Sequence, residues 1–161
     1  MKPVSLSLLL RNLFFTLLQP GVVAGLVPFW IVRKNLPVLL AAPLTGYQYL
    51  GLATGLLGFV IMLLCILRFA TDGQGTLSPA DPTKRLVVSG LYRYSRNPMY
   101  VGVSLILAGE SIFCRSLNLW VYSLAIFVAF NLFIILREEP RLQKDFGNQY
   151  DDYRRKVRRW L

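Results

Sequence analysis

Residues 46–69 read GYQYLGLATGLLGFVIMLLCILRF, a run in which Arg68, one residue from its end, is the single charge. Coiled as an α-helix the run is about 36 Å long, more than the roughly 30 Å of hydrocarbon in a bilayer. Gly51 and Gly55 form a GxxxG, with Gly58 one turn on, a smooth strip suited to close packing against another helix or against a second copy of the chain. Working outward, uncharged runs extend over 12–32, 35–67 and 116–136, each of spanning length, and a fourth over 98–114 is interrupted by Glu110. That fourth segment reaches only about 25 Å, so it is a short span or one arm of a tight hairpin turned at 115–118. With 55% hydrophobic residues and a mean hydropathy of +0.49, the 161-residue chain reads as an integral membrane protein.

Lysine and arginine set the expected orientation. With the N-terminus in the cytoplasm, that side gathers Lys2, Arg11, five basic residues from Arg68 to Arg96 and eight from Arg137 to Arg159, leaving Arg33, Lys34 and Arg115 outside. The bias predicts cytoplasmic termini and a cytoplasmic loop over 70–97, in what reads as a prokaryotic plasma membrane. The net charge of +10 then reflects topology and contact with anionic lipid, and no nucleic-acid motif accompanies it. Cys65 and Cys114 lie in apolar segments without CxxC spacing, which argues against a disulfide framework.

Within this frame Pro20, Gly21 and Pro28 predict a kinked first span. In the central loop, GQGTLS resembles a dinucleotide fingerprint, yet it lacks the third glycine and follows a membrane helix rather than a strand. After Pro140, the residues Leu142, Phe146, Tyr150, Tyr153 and Val157 recur at spacings of three and four and predict one amphipathic helix over 140–161. The expected fold is thus an all-α integral membrane protein, one domain with about four transmembrane helices, the last two a hairpin, and a C-terminal amphipathic helix.

The chain has no histidine, which removes His-dependent triads, HExxH zinc sites and His-cluster iron sites, and it has no phosphate-binding GxxxxGK[ST] loop. Two polar clusters remain, LYRYSRNPMYVG (91–102) and REEPRL (137–142). The segment starting at Pro98 leaves the cytoplasmic surface and the next returns to it at Glu139, so a short hairpin places the clusters side by side. Adjacent carboxylates accept from ribose hydroxyls or an ammonium, guanidinium groups hold a carboxylate, and tyrosine rings face a purine or a cation. S-adenosylmethionine presents all of these groups, while the gap between spans admits a lipophilic acceptor from the bilayer. Glu110, near the outer end, is expected to pair with Arg115, and Asn131, seven residues before Glu138, to face the acceptor path.

Taken together, RLVVSGLYRYSRNPMYVG (85–102) and REEPRLQKDFGNQYDDYRRKVRRWL (137–161) resemble the isoprenylcysteine carboxyl methyltransferase and phospholipid methyltransferase superfamily of membrane enzymes. The resemblance covers roughly the C-terminal half. It implies methyl transfer from S-adenosylmethionine without a metal. By position it implies cofactor contacts at Lys84, Arg85, Leu86, Val87, Tyr92, Arg96, Asn97, Pro98, Met99, Tyr100, Glu138 and Glu139. Asn97 stands where many relatives have histidine, and Ile134 and Ile135 stand where relatives carry an arginine for a prenylcysteine carboxylate. A carboxylate acceptor needs no general base; an amine or thiol acceptor needs one, with Glu139 or a tyrosine as candidate and Arg137 as a positioning group. Rival expectations are a phospholipid or small-amphiphile N-methyltransferase, a reductase of the membrane sterol-reductase kind using nicotinamide, and a non-catalytic membrane adaptor.

Overall fold

The computed structural model describes residues 20–41, 43–73 and 85–160, all of them helical or irregular. A π-turn (Val22–Leu26) leads into α1 (Val27–Val32), followed by α2 (Leu36–Ala41), α3 (Gly46–Arg68), a 3-10 turn (Gly90–Arg93), α4 (Pro98–Cys114), α5 (Leu117–Phe133), α6 (Glu139–Phe146) and α7 (Asn148–Lys156). Residues 12–19 of the first expected span, and Lys84, lie outside the described residues. The kink predicted near Pro20 and Pro28 falls at Ala24, whose φ of −111° and ψ of 19° leave the helical region. The freed Val23 carbonyl accepts from the Tyr122 hydroxyl of α5 at 2.8 Å, a neighbouring helix satisfying what the kink exposes.

α3 begins where the carboxamide of buried Gln48 accepts from the backbone N–H and the hydroxyl of Thr45, at 2.8 and 2.9 Å. It then packs against α4 at backbone distance. A Cβ on Gly58 would stand 2.5 Å from the Gly102 carbonyl oxygen, and one on Gly109 2.6 Å from both the Gly51 oxygen and the Gly55 nitrogen. The glycine strip therefore serves helix packing within the chain. Of the two glycines suited to a dimer contact, α4 covers Gly51, while a Cβ on Gly55 meets no described atom within 4 Å. Beside this seam Met62, Val103 and Leu107 form a buried cluster, while Leu50, Leu56, Leu57, Val121 and Leu124 are exposed on the outer faces of α3 and α5. Exposed leucines on two helices long and apolar enough to cross a membrane are what a lipid-facing surface requires.

The hairpin turns at Arg115, which takes the left-handed conformation (φ 45°) and lets α5 start at Leu117. α5 continues without a break through a π-turn (Ile134–Glu138) into α6, giving one helix over Leu117–Phe146. In the π-turn the Glu139 N–H reaches the Ile134 carbonyl, five residues back, just upstream of the Pro140 ring that cannot donate to Leu136. The uncharged residues 117–136 already account for about 30 Å, so Glu138 and everything after it project beyond the apolar part.

The single tail helix expected over 140–161 is corrected here. Its first turns belong to the long α5–α6 rod, and at Gly147, with φ 50°, the rod ends. A glycine tolerates that backbone conformation where a side chain would be strained. The chain redirects into α7, and residues 157–160 then run extended back toward the start of α4. The apolar stripe is real but divided between two helices, with Tyr150 and Tyr153 buried.

Candidate functional site at the loop end of the hairpin

The chain re-enters the described structure beside the end of α3. Asp72 accepts from the Ser89 hydroxyl and lies 3.4 Å from Arg68, whose side chain rests against Gly90, a residue with φ 60°. The 3-10 turn so anchored buries Tyr92 with Cys65 and Val87, edge-on to the Phe69 ring at 5.6 Å. Tyr92 also receives the Tyr153 hydroxyl on its carbonyl at 2.7 Å, which ties α7 to this turn. Burial pushes the phenols of Tyr92 and Tyr153 above their ordinary range, so both stay protonated donors. A cavity of about 330 Å³ opens beside them, lined by Cys65, Arg68, Tyr92 and Arg93 among others.

Residues 95–100 form the centre of the site. Pro98 occupies the first turn of α4, where no donor is required, and the segment ahead of it is held by the returning tail. Arg96 N–H donates to the Arg158 carbonyl at 2.9 Å, while the Asn97 amide and the Ser95 hydroxyl donate to the Arg159 carbonyl at 3.0 and 3.2 Å. The two polar clusters face each other across the hairpin. Tyr100 donates its hydroxyl to Glu138 Oε2 at 2.8 Å, and Arg96 Nη1 donates to Glu139 Oε1 at 2.9 Å and to the Tyr150 hydroxyl at 3.1 Å. Arg159 completes the arrangement, with Nε to Oε1 and Nη2 to Oε2 of Glu139, both at 2.9 Å.

The neighbouring carboxyls are therefore in opposite electrostatic situations. Burial lifts Glu138 above the ordinary carboxyl range, with the Tyr100 hydrogen bond and the charge of Arg141 opposing. Burial would lift Glu139 too, but the Arg159 hydrogen bond and the charges of Arg96, Arg159 and Arg154 outweigh it and hold its carboxyl below 4.5. A carboxylate whose two oxygens are both gripped by guanidinium groups is a poor proton acceptor, so the general-base role expected of Glu139 does not suit its surroundings. Glu138 suits it better. Around this step Arg96 Nε, Arg141 Nε and Gln143 Oε1 are buried without a hydrogen-bond partner among the described residues, a pair of donors and an acceptor that a polar ligand would satisfy.

The other expected residues are dispersed. Arg85 is exposed, Leu86 partly buried, and Val87 is core beneath Tyr92. Met99 bridges the two buried clusters. Arg137 is exposed on the π-turn, away from the Glu139 clamp. Asn131 donates to the Phe127 carbonyl at 2.8 Å and accepts from the Trp160 indole at 3.1 Å, while the Trp160 ring lies 5.1 Å from that of Phe127. Asn131 thus docks the tail, in place of the acceptor-facing role expected from its position. Tyr150, Arg159, Ser95 and Trp160 were not singled out as site residues by sequence; only Tyr150, on the apolar stripe, gave any sign.

The sequence model of the phospholipid methyltransferase family matches residues 47–149, from the start of α3 into α7. A protein of uncharacterized function from Haemophilus influenzae is 36% identical over 63 residues, which is its whole length and 39% of this chain. Among solved structures, a eukaryotic intramembrane Ras methyltransferase, an isoprenylcysteine carboxyl methyltransferase, superposes with a TM-score of 0.59 at 30% identity over 86% of this chain. The chain spans about half (49%) of the length of that enzyme.

Proposed function

Because the chain belongs to the phospholipid methyltransferase family, we propose that it transfers a methyl group from S-adenosylmethionine to a lipophilic acceptor at the cytoplasmic face of a membrane. The observation that carries the proposal is the joining of the two clusters, Tyr100 to Glu138 and Arg96 to Glu139, at the loop end of the α4–α5 hairpin. Its donor set fits the cofactor: Glu138 offers an acceptor for ribose hydroxyls or the ammonium, and two nitrogens without a hydrogen bond among the described residues, Arg96 Nε and Arg141 Nε, the latter in a 4.0 Å ion pair with Asp145, offer donors for the carboxylate. When bound, S-adenosylmethionine supplies an electrophilic methyl group on a sulfonium.

The acceptor we favour is a carboxylate on a prenylcysteine-like molecule, methylated on oxygen. Such an acceptor is already an anion near neutrality and asks no base of a chain without histidine. In this reading the exposed Arg137, one residue before Glu138, holds that carboxylate. What the protein contributes is alignment and exclusion of water, which can lower a barrier by about 7 kcal/mol or more. An amine acceptor is the second reading, favoured by the elevated Glu138 carboxyl, which can take the amine's proton. The cytoplasmic setting rests on the clustering of basic residues at this end, and the prokaryotic plasma membrane on the short loops and minimal bundle.

The test is calorimetric titration of S-adenosylmethionine into detergent-purified full chain, with Glu138→Ala alongside. Saturable binding by the wild type that weakens at least tenfold in the variant supports the site; equal binding by both rules out Glu138 as a ligand group. Transfer of labelled methyl to farnesylcysteine, compared with phosphatidylethanolamine, then separates the two acceptors.

A further inference from the structure

Glu110 is the one carboxyl group within α4, ten residues and about 15 Å from Tyr100, toward the opposite end of the bundle. The partner expected from sequence is engaged elsewhere: the Arg115 guanidinium lies 4.9 Å from the centre of the Tyr47 ring. Glu110 Oε2 is buried and has no hydrogen-bond partner among the described residues. It lines an open groove of about 500 Å³ between α1, α3 and α4, whose walls include Pro28, Gly55 and the exposed Phe29, Leu52 and Phe59 among other apolar residues. The volume lies in the range of sites that hold small molecules. Apart from the Cys114 thiol, Glu110 is the sole hydrogen-bonding side chain among the described residues of the lining.

An unsatisfied carboxyl oxygen among hydrocarbon is costly, and a groove that is otherwise apolar selects for a molecule that is apolar except at one end. We propose that this groove binds an amphiphile whose head, a hydroxyl or an ammonium, donates a hydrogen bond to Glu110 while its hydrocarbon body occupies the space beside Gly55. With Glu110 ionised the site supplies only acceptors, so at a pH that keeps the carboxylate charged a head that only accepts gains nothing there. Gly55 helps to make the room, since a Cβ built on it meets no atom of the described residues within 4 Å. The site is remote from the Tyr100–Glu138 pair and does not depend on the methyl-transfer reading.

The experiment is native mass spectrometry of the full chain released from detergent, counting one-to-one adducts with tetradecanol, tetradecylamine or methyl tetradecyl ether at equal concentration. We expect the alcohol and the amine to be retained at least tenfold more than the ether. Glu110→Leu should lose that preference, Glu110→Gln, which keeps an acceptor oxygen, should retain the alcohol, and Gly55→Leu should exclude all three by filling the groove. Helical circular dichroism and a single size-exclusion peak establish that each variant is folded. Equal retention of the ether, or retention of the alcohol by folded Glu110→Leu or folded Gly55→Leu, overturns the proposal.

Discussion

Arg159 grips both carboxylate oxygens of Glu139, Nε on Oε1 and Nη2 on Oε2, each at 2.9 Å, while Arg96 shares Oε1 from the other side. The clamp joins three parts of the chain that are far apart in sequence: the turn before α4, the start of α6 and the returning tail. Its Arg96 and Glu139 side chains are only 10% and 13% exposed, whereas Arg159 is 34% exposed. Removing the shared partner should therefore cost more than removing the outer one. Glu139→Ala leaves two guanidinium groups without their anion and should cost about 2–4 kcal/mol; Arg159→Ala leaves Arg96 still paired and should cost about 1–2 kcal/mol. Thermal unfolding in detergent orders the two, and equal destabilisation would show that Arg96 contributes little.

The same clamp gives a pH dependence with a definite sign. Glu139 titrates below its ordinary 4.5 in the folded protein, so between the folded and unfolded values the unfolded chain binds more protons. The stabilisation is complete above the unfolded value and is lost as pH falls through the folded one. Wild type should lose more of its melting temperature between pH 6 and pH 3 than Glu139→Gln, which has no such proton to take up. Parallel curves for the two proteins would count against the clamp.

The α3–α4 seam separates two glycines of the same strip. Gly58 stands against the Gly102 backbone, with no side chain that can move aside, whereas a Cβ on Gly55 meets nothing within 4 Å. Gly58→Ala should force the helices apart at a cost of about 1–3 kcal/mol. Gly55→Ala should be neutral, or stabilising by about 0.5–1 kcal/mol through lower unfolded-state freedom. Melting temperatures of the two variants read this directly, and a destabilised Gly55→Ala would mean that its face is filled.

The glycine strip, the span over 46–68 and the hairpin turn at Arg115 were legible in the sequence because hydrophobic length and small-residue spacing act locally. So was the meeting of the 91–102 and 137–142 clusters, which follows from the hairpin alone. What was not legible came from the tail. Gly147 lies within an apolar stripe of continuous helical spacing, and periodicity does not register a single positive φ that divides it. Arg159 and Trp160 look in sequence like the end of a basic run, yet their partners, Glu139 and Asn131, lie 20 and 29 residues earlier. Glu110 was paired with Arg115 by proximity in sequence, but the guanidinium found the Tyr47 ring instead. In each case a tertiary contact decided what local spacing could not.

The Tyr100 hydroxyl, 2.8 Å from Glu138 Oε2, offers the sharpest test of how the site is tuned. Burial raises the Glu138 carboxyl, and the hydrogen bond from Tyr100 favours the anion and partly offsets that rise. Tyr100→Phe keeps the ring, which lies tilted against Phe130 with centroids 4.8 Å apart, and removes only the donor. The folded Glu138 value should then move further up. If the anion of Glu138 holds the cofactor, S-adenosylmethionine affinity falls as pH drops through that value, and the acidic limb in Tyr100→Phe should lie at higher pH than in wild type. Near the top of the profile the two proteins should converge, unless the hydroxyl itself bonds to the cofactor, while Glu138→Gln should show no acidic limb at all. Calorimetric titrations at half-unit pH intervals, carried down until the acidic limb is complete, would reveal the displacement. Superimposable limbs in wild type and Tyr100→Phe would show that the hydrogen bond does not control the charge of Glu138, and a limb that persists in Glu138→Gln would assign the titration to another group.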